Sequence, residues 1–351
     1  MLIATIIPII AAIFVFGLLI LFHELGHFIT AKLVGMRVDE FAIGFGPKLV
    51  SRQVGETIYS IRIVPLGGFN KIAGMDPDEE QDERSFNTKP VWARMLVIVA
   101  GSAMNFVLPV ILFFIVFVSA GVDTPSDQPI IGTVFHDRPA MLAGLVAGDR
   151  IIAVNGAKID SWRQFVQVIQ SNSGSKLVVN IERSGAKEFQ TITVTPEYDT
   201  KAKRGIIGIT PLIIHDQPEA FESLGLAFKQ TYSIGGSMLV GIGEMLTGKA
   251  PADVAGPIGV AQMAGEVAQL GIIPLLQFAA FLSINLGLIN LLPVPVLDGG
   301  HVVTLAVEGI RRKPLNKNHM QFIQMIGFAL LLLLMIVATF KDISRWLEKL
   351  G

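Results

Sequence analysis

Four stretches of the chain are apolar for long enough to cross a bilayer, roughly residues 2 to 31, 93 to 120, 272 to 292 and 321 to 340. A membrane-spanning helix needs about 20 predominantly apolar residues, so the pattern predicts four spans. Between the first two the period changes. Residues 38 to 73 run as short β-rich pieces, "VDEFAIGFG", "ETIYSIRIV" and "GGFNKIAGM", broken by Gly and Pro, which predicts a small sheet or hairpins. Pieces this apolar are expected to dip into the membrane face, where their backbone must pair with itself or line a cavity. Residues 128 to 197 carry many charges and read as strand, short helix, strand, an Asn155-Gly156 turn, helix and a final strand pair, the pattern of a separate soluble α/β domain. From 218 to 271 the chain is apolar but interrupted by Lys229 and Glu244, and a helix lying in the membrane interface is expected.

Composition narrows the class. The 351 residues are 51% hydrophobic and 16% charged, where soluble domains carry about 25% charged residues, so the fold class is a polytopic α-helical membrane protein with an inserted soluble domain. A formal net charge of -1 and the lack of a long basic cluster argue against nucleic acid as a partner. Cysteine is absent, which removes disulfides and thiolate chemistry and leaves His, Asp and Glu to hold any metal. The first apolar stretch is as hydrophobic as a signal peptide but lacks the basic start and small-residue cleavage site, and reads as a retained span. Basic residues in 32 to 92, and Arg311, Arg312, Lys313 and Lys317 before the fourth span, put those loops in the cytoplasm. Both termini and residues 121 to 271 then fall outside. The expected divisions are 1–120 (first membrane half with a β-rich loop at 38–75), 121–200 (soluble domain), 201–271 (amphipathic interfacial segment) and 272–351 (second membrane half).

The chemistry concentrates at two places. His23, Glu24 and His27 spell H-E-x-x-H at the end of a run with no earlier charged residue, and on a helix the two histidines share one face a turn apart. Ionisable groups at membrane depth are functional by default. In zinc peptidases the metal acidifies a bound water and polarises the scissile carbonyl while such a glutamate moves the proton. A catalytic zinc site usually has three protein ligands, so one must come from elsewhere. The best candidate is Asp298 in "NLLPVPVLDGGH", residues 290 to 301, where Pro293 and Pro295 open the backbone beside an acidic side chain. Blander readings exist: histidines bonded across helices, Asp298 capping a helix that starts at Gly299, and His301 as a polar neighbour or further ligand. A metal or proton transporter is a rival, although no internal repeat is visible, and so is a catalytically silent peptide receptor. A Glu24→Gln protein separates them, since it would keep the metal and cleave nothing.

H-E-x-x-H in the first span, N-x-x-P-x-P-x-L-D-G at the third, the "PLGG" loop, Asn105-Phe106 in the second span and the soluble insert, whose "AGLVAGDRIIAVNGAKI" is similar to a bacterial PDZ domain, together resemble the site-2 protease family of intramembrane zinc metalloproteases, in its regulator-of-sigma-E-protease branch. The resemblance covers nearly the whole chain. It implies Zn2+ held by His23, His27 and Asp298, Glu24 as the base, and Asn290 near the catalytic centre. It implies too a bacterial inner-membrane location with the PDZ-like domain on the extracytoplasmic side. Expected partners are the lipid bilayer, transmembrane substrates such as anti-sigma factors or signal-peptide-like segments trimmed by another protease, and peptide ends at the PDZ-like domain. The β-pattern and the resemblance together make Gly68, Phe69, Asn70 and Lys71 an edge that holds substrate extended. Two departures stand out: one PDZ-like domain where enterobacterial members have two, and Ser102 in "AGSAMNF" where proline is common.

Overall fold

The computed structural model describes residues 2–75, 79, 81–185, 188–200, 203–249, 256–313 and 317–348. It divides into a discontinuous unit, Met1–Ala120 with Glu219–Gly351, and an inserted unit, Gly121–Pro218.

The first unit is mostly helical. Among the described residues four helices are long and apolar enough to cross a membrane: α1 (Leu2–Leu33), α2 (Val91–Ala120), α7 (Ile272–Asn290) and α9 (Lys317–Glu348). Helix α2 is the hub, packing against α1 and α7. Its inward stripe, including Arg94, Val97, Gly101, Asn105, Leu108 and Leu112, recurs at three- and four-residue steps, the spacing of one helix face, with Ser102 buried beside it. Close approach to α1 depends on small residues, because a Cβ on Gly26 would collide with the Ala100 carbonyl and one on Gly101 with the His27 ring.

Two long strands, β1 (Val38–Val54) and β2 (Thr57–Ile72), occupy the loop between α1 and α2 and pair antiparallel around Gly55. The register is folded back on itself. Pairs from Val54↔Thr57 to Val50↔Ile61 close the hairpin, whereas Phe41 has both Tyr59 and Asn70 as partners and Ala42 both Ser60 and Phe69. Residues 40–43 thus run between two arms of β2. The 68–71 arm lies outermost of the three. Phe28 of α1 meets Phe41 and Tyr59 edge-on at 5.2 and 5.8 Å between ring centres, fixing the sheet to the helix. At the turn, Glu56 accepts from Arg84 and Lys32, and these two cations hold its carboxyl down at about 2.

The opened backbone expected before Asp298 is present. After α7 the chain turns through Leu291–Leu297, and Val296 takes φ 81°, a strained conformation for a β-branched residue. Helix α8 (Asp298–Arg311) then starts with Asp298 in its first turn. A side chain at Gly299 would strike the Leu291 and Leu292 carbonyls, and one at Gly300 the Val294 carbonyl, so the two glycines let α8 fold back on that turn. The α8 helix is tied to α2 by a bidentate pair in which Arg94 donates to Glu308 at 2.6 and 3.2 Å.

The inserted unit has the predicted order, with short α3 (Pro139–Leu142) and α4 (Trp162–Ser171) over a sheet ordered Ala157–Lys158, Arg150–Val154, Leu177–Glu182, Gln190–Val194. Its hairpin turns on Asn155 and Gly156, both at positive φ. The unit ends at Pro218 rather than at 200, because Ile209–Pro211 pairs with Ile131–Val134 and Ile213–Asp216 with Val122–Pro125. The segment from 201 to 271, expected as one interfacial piece, is therefore divided: its first part belongs to the inserted unit. The remainder forms α5 (Ala220–Leu246) and α6 (Pro257–Gln269). Helix α5 continues through Lys229 and Glu244 and packs on α2 and α7, burying Ser223, Ala227, Thr231 and Gly235 one turn apart.

Candidate metal centre

Helix α1 delivers His23 and His27 to one face, with ring centres 4.8 Å apart and the rings nearly perpendicular. Their Nε2 atoms face each other at 3.3 Å. Asp298 reaches in from the start of α8, Oδ2 lying 3.6 Å from His23 Nε2 and Oδ1 3.6 Å from His27 Nε2. All three side chains are largely buried.

Hydrogen bonding decides what this cluster can hold. The Val97 carbonyl, an acceptor only, lies 2.8 Å from His27 Nδ1, so the ring carries its proton there. A neutral His27 then presents a bare lone pair at Nε2, aimed at a second imidazole nitrogen and a carboxylate. Two imidazoles and a carboxylate converging in this way are groups that could hold a metal ion. The two Nε2 atoms, 3.3 Å apart, have the spacing of two ligands on one tetrahedral zinc with bonds of about 2.0–2.1 Å, and the carboxylate flanks both rings, one of its oxygens 3.6 Å from each.

The neighbours of the cluster come from α2, from the "AGSAMNF" stretch whose Ser102 and Asn105 the sequence singles out without giving them partners. Ser102 Oγ donates to Asp298 Oδ2 at 2.9 Å, and the Asn105 amide lies 3.1 Å from His23 Nδ1. Both residues are fully buried. The available signal was a pair of polar side chains in an apolar span, which says that something is bonded there but not what.

Glu24 points toward the β2 arm. Asn70 Nδ2 donates to its carboxylate at 2.7 Å and to its main-chain oxygen at 2.8 Å. A Cβ on Gly68 would fall 2.9 Å from Glu24 Cγ, so residues 68–71 run beside the glutamate at contact distance. Phe69 lies beneath the Arg62 guanidinium at 4.9 Å, and Lys71 pairs with Glu79 at 3.1 Å. Asn290 is the last residue of α7. His301 lies one turn beyond Asp298 on α8 and is not in the three-residue cluster.

Comparison with known proteins extends over nearly the whole chain. The model of peptidase family M50 matches residues 11–334. A candidate zinc metalloprotease of Clostridium acetobutylicum is 39% identical over 95% of this chain and 97% of its own. The zinc metalloprotease RasP of Geobacillus kaustophilus is 34% identical over 96% and 98%, and the regulator of sigma-W protease RasP of Bacillus subtilis 33% over 96% and 98%. Among solved structures, the PDZ domain of an SdrC-like protein from Listeria monocytogenes is 27% identical over 26% of this chain and 93% of that domain, with a TM-score of 0.22. With relatives at this identity aligned along nearly their whole length, the chain belongs to peptidase family M50: it is a multi-pass membrane zinc metalloprotease.

Proposed function

We propose that the protein hydrolyses peptide bonds within or beside the transmembrane segments of single-span membrane proteins, after another protease has trimmed their outer portion. The observation that carries this reading is the meeting of three elements: the lone pairs of His23 and His27 with the Asp298 carboxylate, the Glu24 carboxylate on the same helix turn, and the outermost strand 68–71 alongside. His23, His27 and Asp298 hold the zinc, which when bound supplies a Lewis acid that acidifies water and polarises a carbonyl. Glu24 takes the proton from the attacking water and passes it to the leaving amine. Asn70 keeps the glutamate aimed, since its amide bonds both the side chain and the main chain of that residue.

A transmembrane helix must lose its internal hydrogen bonds before its backbone is reachable. Gly68 to Lys71 offer the main-chain edge that replaces them, holding the scissile region extended. Asn290 contributes a hydrogen bond to the substrate backbone. Anti-sigma factors are the proposed substrate class, supported by the B. subtilis relative's name as a sigma-W regulator; signal-peptide-like segments have the same single-span chemistry. The proposed setting is a bacterial inner membrane with the PDZ-like unit outward, where an apolar groove lined by Trp162, Phe165, Ile169 and Ile207 receives peptide ends.

The test is cleavage of a model single-span protein by wild-type and Glu24→Gln enzyme in detergent, with product masses locating the cut. The wild type is expected to cut in or beside the span, and the variant to bind zinc equally while losing about 10²-fold or more of the rate. Equal cleavage by both, or none by either on pre-trimmed substrates, overturns the reading.

A further inference from the structure

We propose that helix α2, which provides no ligand, is the template that orients all three metal-holding side chains, with Ser102 and Asn105 as its positioning residues. The proposal rests on the reading of His23, His27 and Asp298 as the zinc ligands and assigns how this chain holds them in place. The contacts fall on one face of α2, at Val97, Gly101, Ser102 and Asn105. Each ligand has its own partner. His27 donates from Nδ1 to the Val97 carbonyl at 2.8 Å, and its ring lies where a side chain on Gly101 would be. Ser102 donates to Asp298 Oδ2 at 2.9 Å. A helical serine ordinarily returns its hydroxyl to the carbonyl four residues back; this one spends it on a carboxylate 196 positions away in sequence, using one lone pair and fixing the carboxylate plane.

Asn105 sets the tautomer of His23. To present the Nε2 lone pair to a metal, a neutral His23 must carry its proton on Nδ1 and donate it there. The amide nitrogen of Asn105 faces that atom at 3.1 Å, while its buried Oδ1 has no partner. A half-turn of the amide, whose two ends have nearly the same shape, brings the oxygen to Nδ1 as an acceptor, beside the Gly101 main chain that the ring also bonds. The same rotation turns the N–H2 end to where the partnerless oxygen now lies. Groups that orient metal ligands from outside are typically worth about 10–100-fold in metal affinity.

The experiment is chelator competition for zinc with the full-length chain in detergent, for wild type, Ser102→Ala, Asn105→Leu, Asn105→Asp and His27→Ala. Thermal unfolding of the metal-free proteins serves as the folding control. Ser102→Ala and Asn105→Leu are expected to weaken zinc binding about 10–100-fold, and Asn105→Asp, which can only accept, to stay within a few-fold of wild type. An Asn105→Asp protein that loses as much affinity as Asn105→Leu overturns the tautomer role, and wild-type affinity in both Ser102→Ala and Asn105→Leu overturns the template. If Asn105→Leu fails to fold, loss in Ser102→Ala with retention in Asn105→Asp still supports the proposal, and any other result for that pair overturns it. Should wild type bind no zinc, or His27→Ala bind it equally, the assignment of the ligands has failed rather than the role of α2.

Discussion

Helices α2 and α9 are both long apolar spans, yet they have opposite relations to the rest of the protein. In the apolar window of α2, 44% of the residues are buried inside the protein, against 6% for α9. The polar residues of α2 point inward to a purpose: Arg94 to Glu308, Ser102 to Asp298, Asn105 to His23. On α9 the buried positions among the described residues are Gly327, against Pro295, and Asp342, whose carboxylate accepts from the Gly256 and Gly259 amides at the start of α6 at 3.0 and 2.8 Å. Most other described positions of α9 are exposed. Hydropathy alone cannot separate such helices, since lipid tails and leucine side chains are equally apolar; polar groups and glycines mark where protein, not lipid, is the neighbour.

The comparison breaks most visibly at Arg94. Replacing it with methionine keeps the volume but leaves the Glu308 carboxylate, 17% exposed, without its partner. Stranding one member of a buried pair costs about 3–5 kcal/mol, so Arg94→Met should unfold at markedly lower temperature in detergent. The double variant with Glu308→Met should recover most of the loss. If the double variant is no better than the single, the pair is not what joins α2 to α8.

Asp342 sharpens the comparison from the other helix. Its carboxylate does for α6 what a capping side chain normally does within one helix, so Asp342→Ala should cost about 1–2 kcal/mol, measured by thermal unfolding. An unchanged midpoint would mean that this carboxylate does not hold the start of α6.

Much of this was legible beforehand, and the omissions have a common physical origin. Spans announce themselves by length, and H-E-x-x-H and the broken backbone before Asp298 are local signals, so the His23, His27 and Asp298 cluster could be assembled from two short stretches. The α2 contacts could not. Asn105 reaches a residue 82 positions away and Ser102 one 196 positions away, and nothing in an apolar run says which polar side chain meets which. The doubled register at Phe41 and Ala42 was hidden for a similar reason, because alternation predicts a strand and not how many neighbours it has. The strands between 204 and 216 are three or four residues long, too short for a period, and only their partners near 122–134 assign them to the inserted unit. Asn290 was placed by motif, and its position at the end of α7 leaves its role to experiment.

The smallest effect gives the cleanest contrast, because it makes the same change on both helices. Leu108 of α2 is 1% exposed and Leu333 of α9 is 57% exposed. Truncating the first to alanine opens a cavity between packed helices and should cost about 2–5 kcal/mol. Truncating the second removes methyl groups whose neighbours are lipid in the folded protein and lipid again when the helices separate, so little changes between the two states. Leu333→Ala should therefore shift stability by no more than about 0.5 kcal/mol, read as the difference between two unfolding midpoints in the same detergent. A cost for Leu333→Ala near that of Leu108→Ala would put protein, such as a bound substrate helix or a second copy of the chain, against the face of α9 that here meets none.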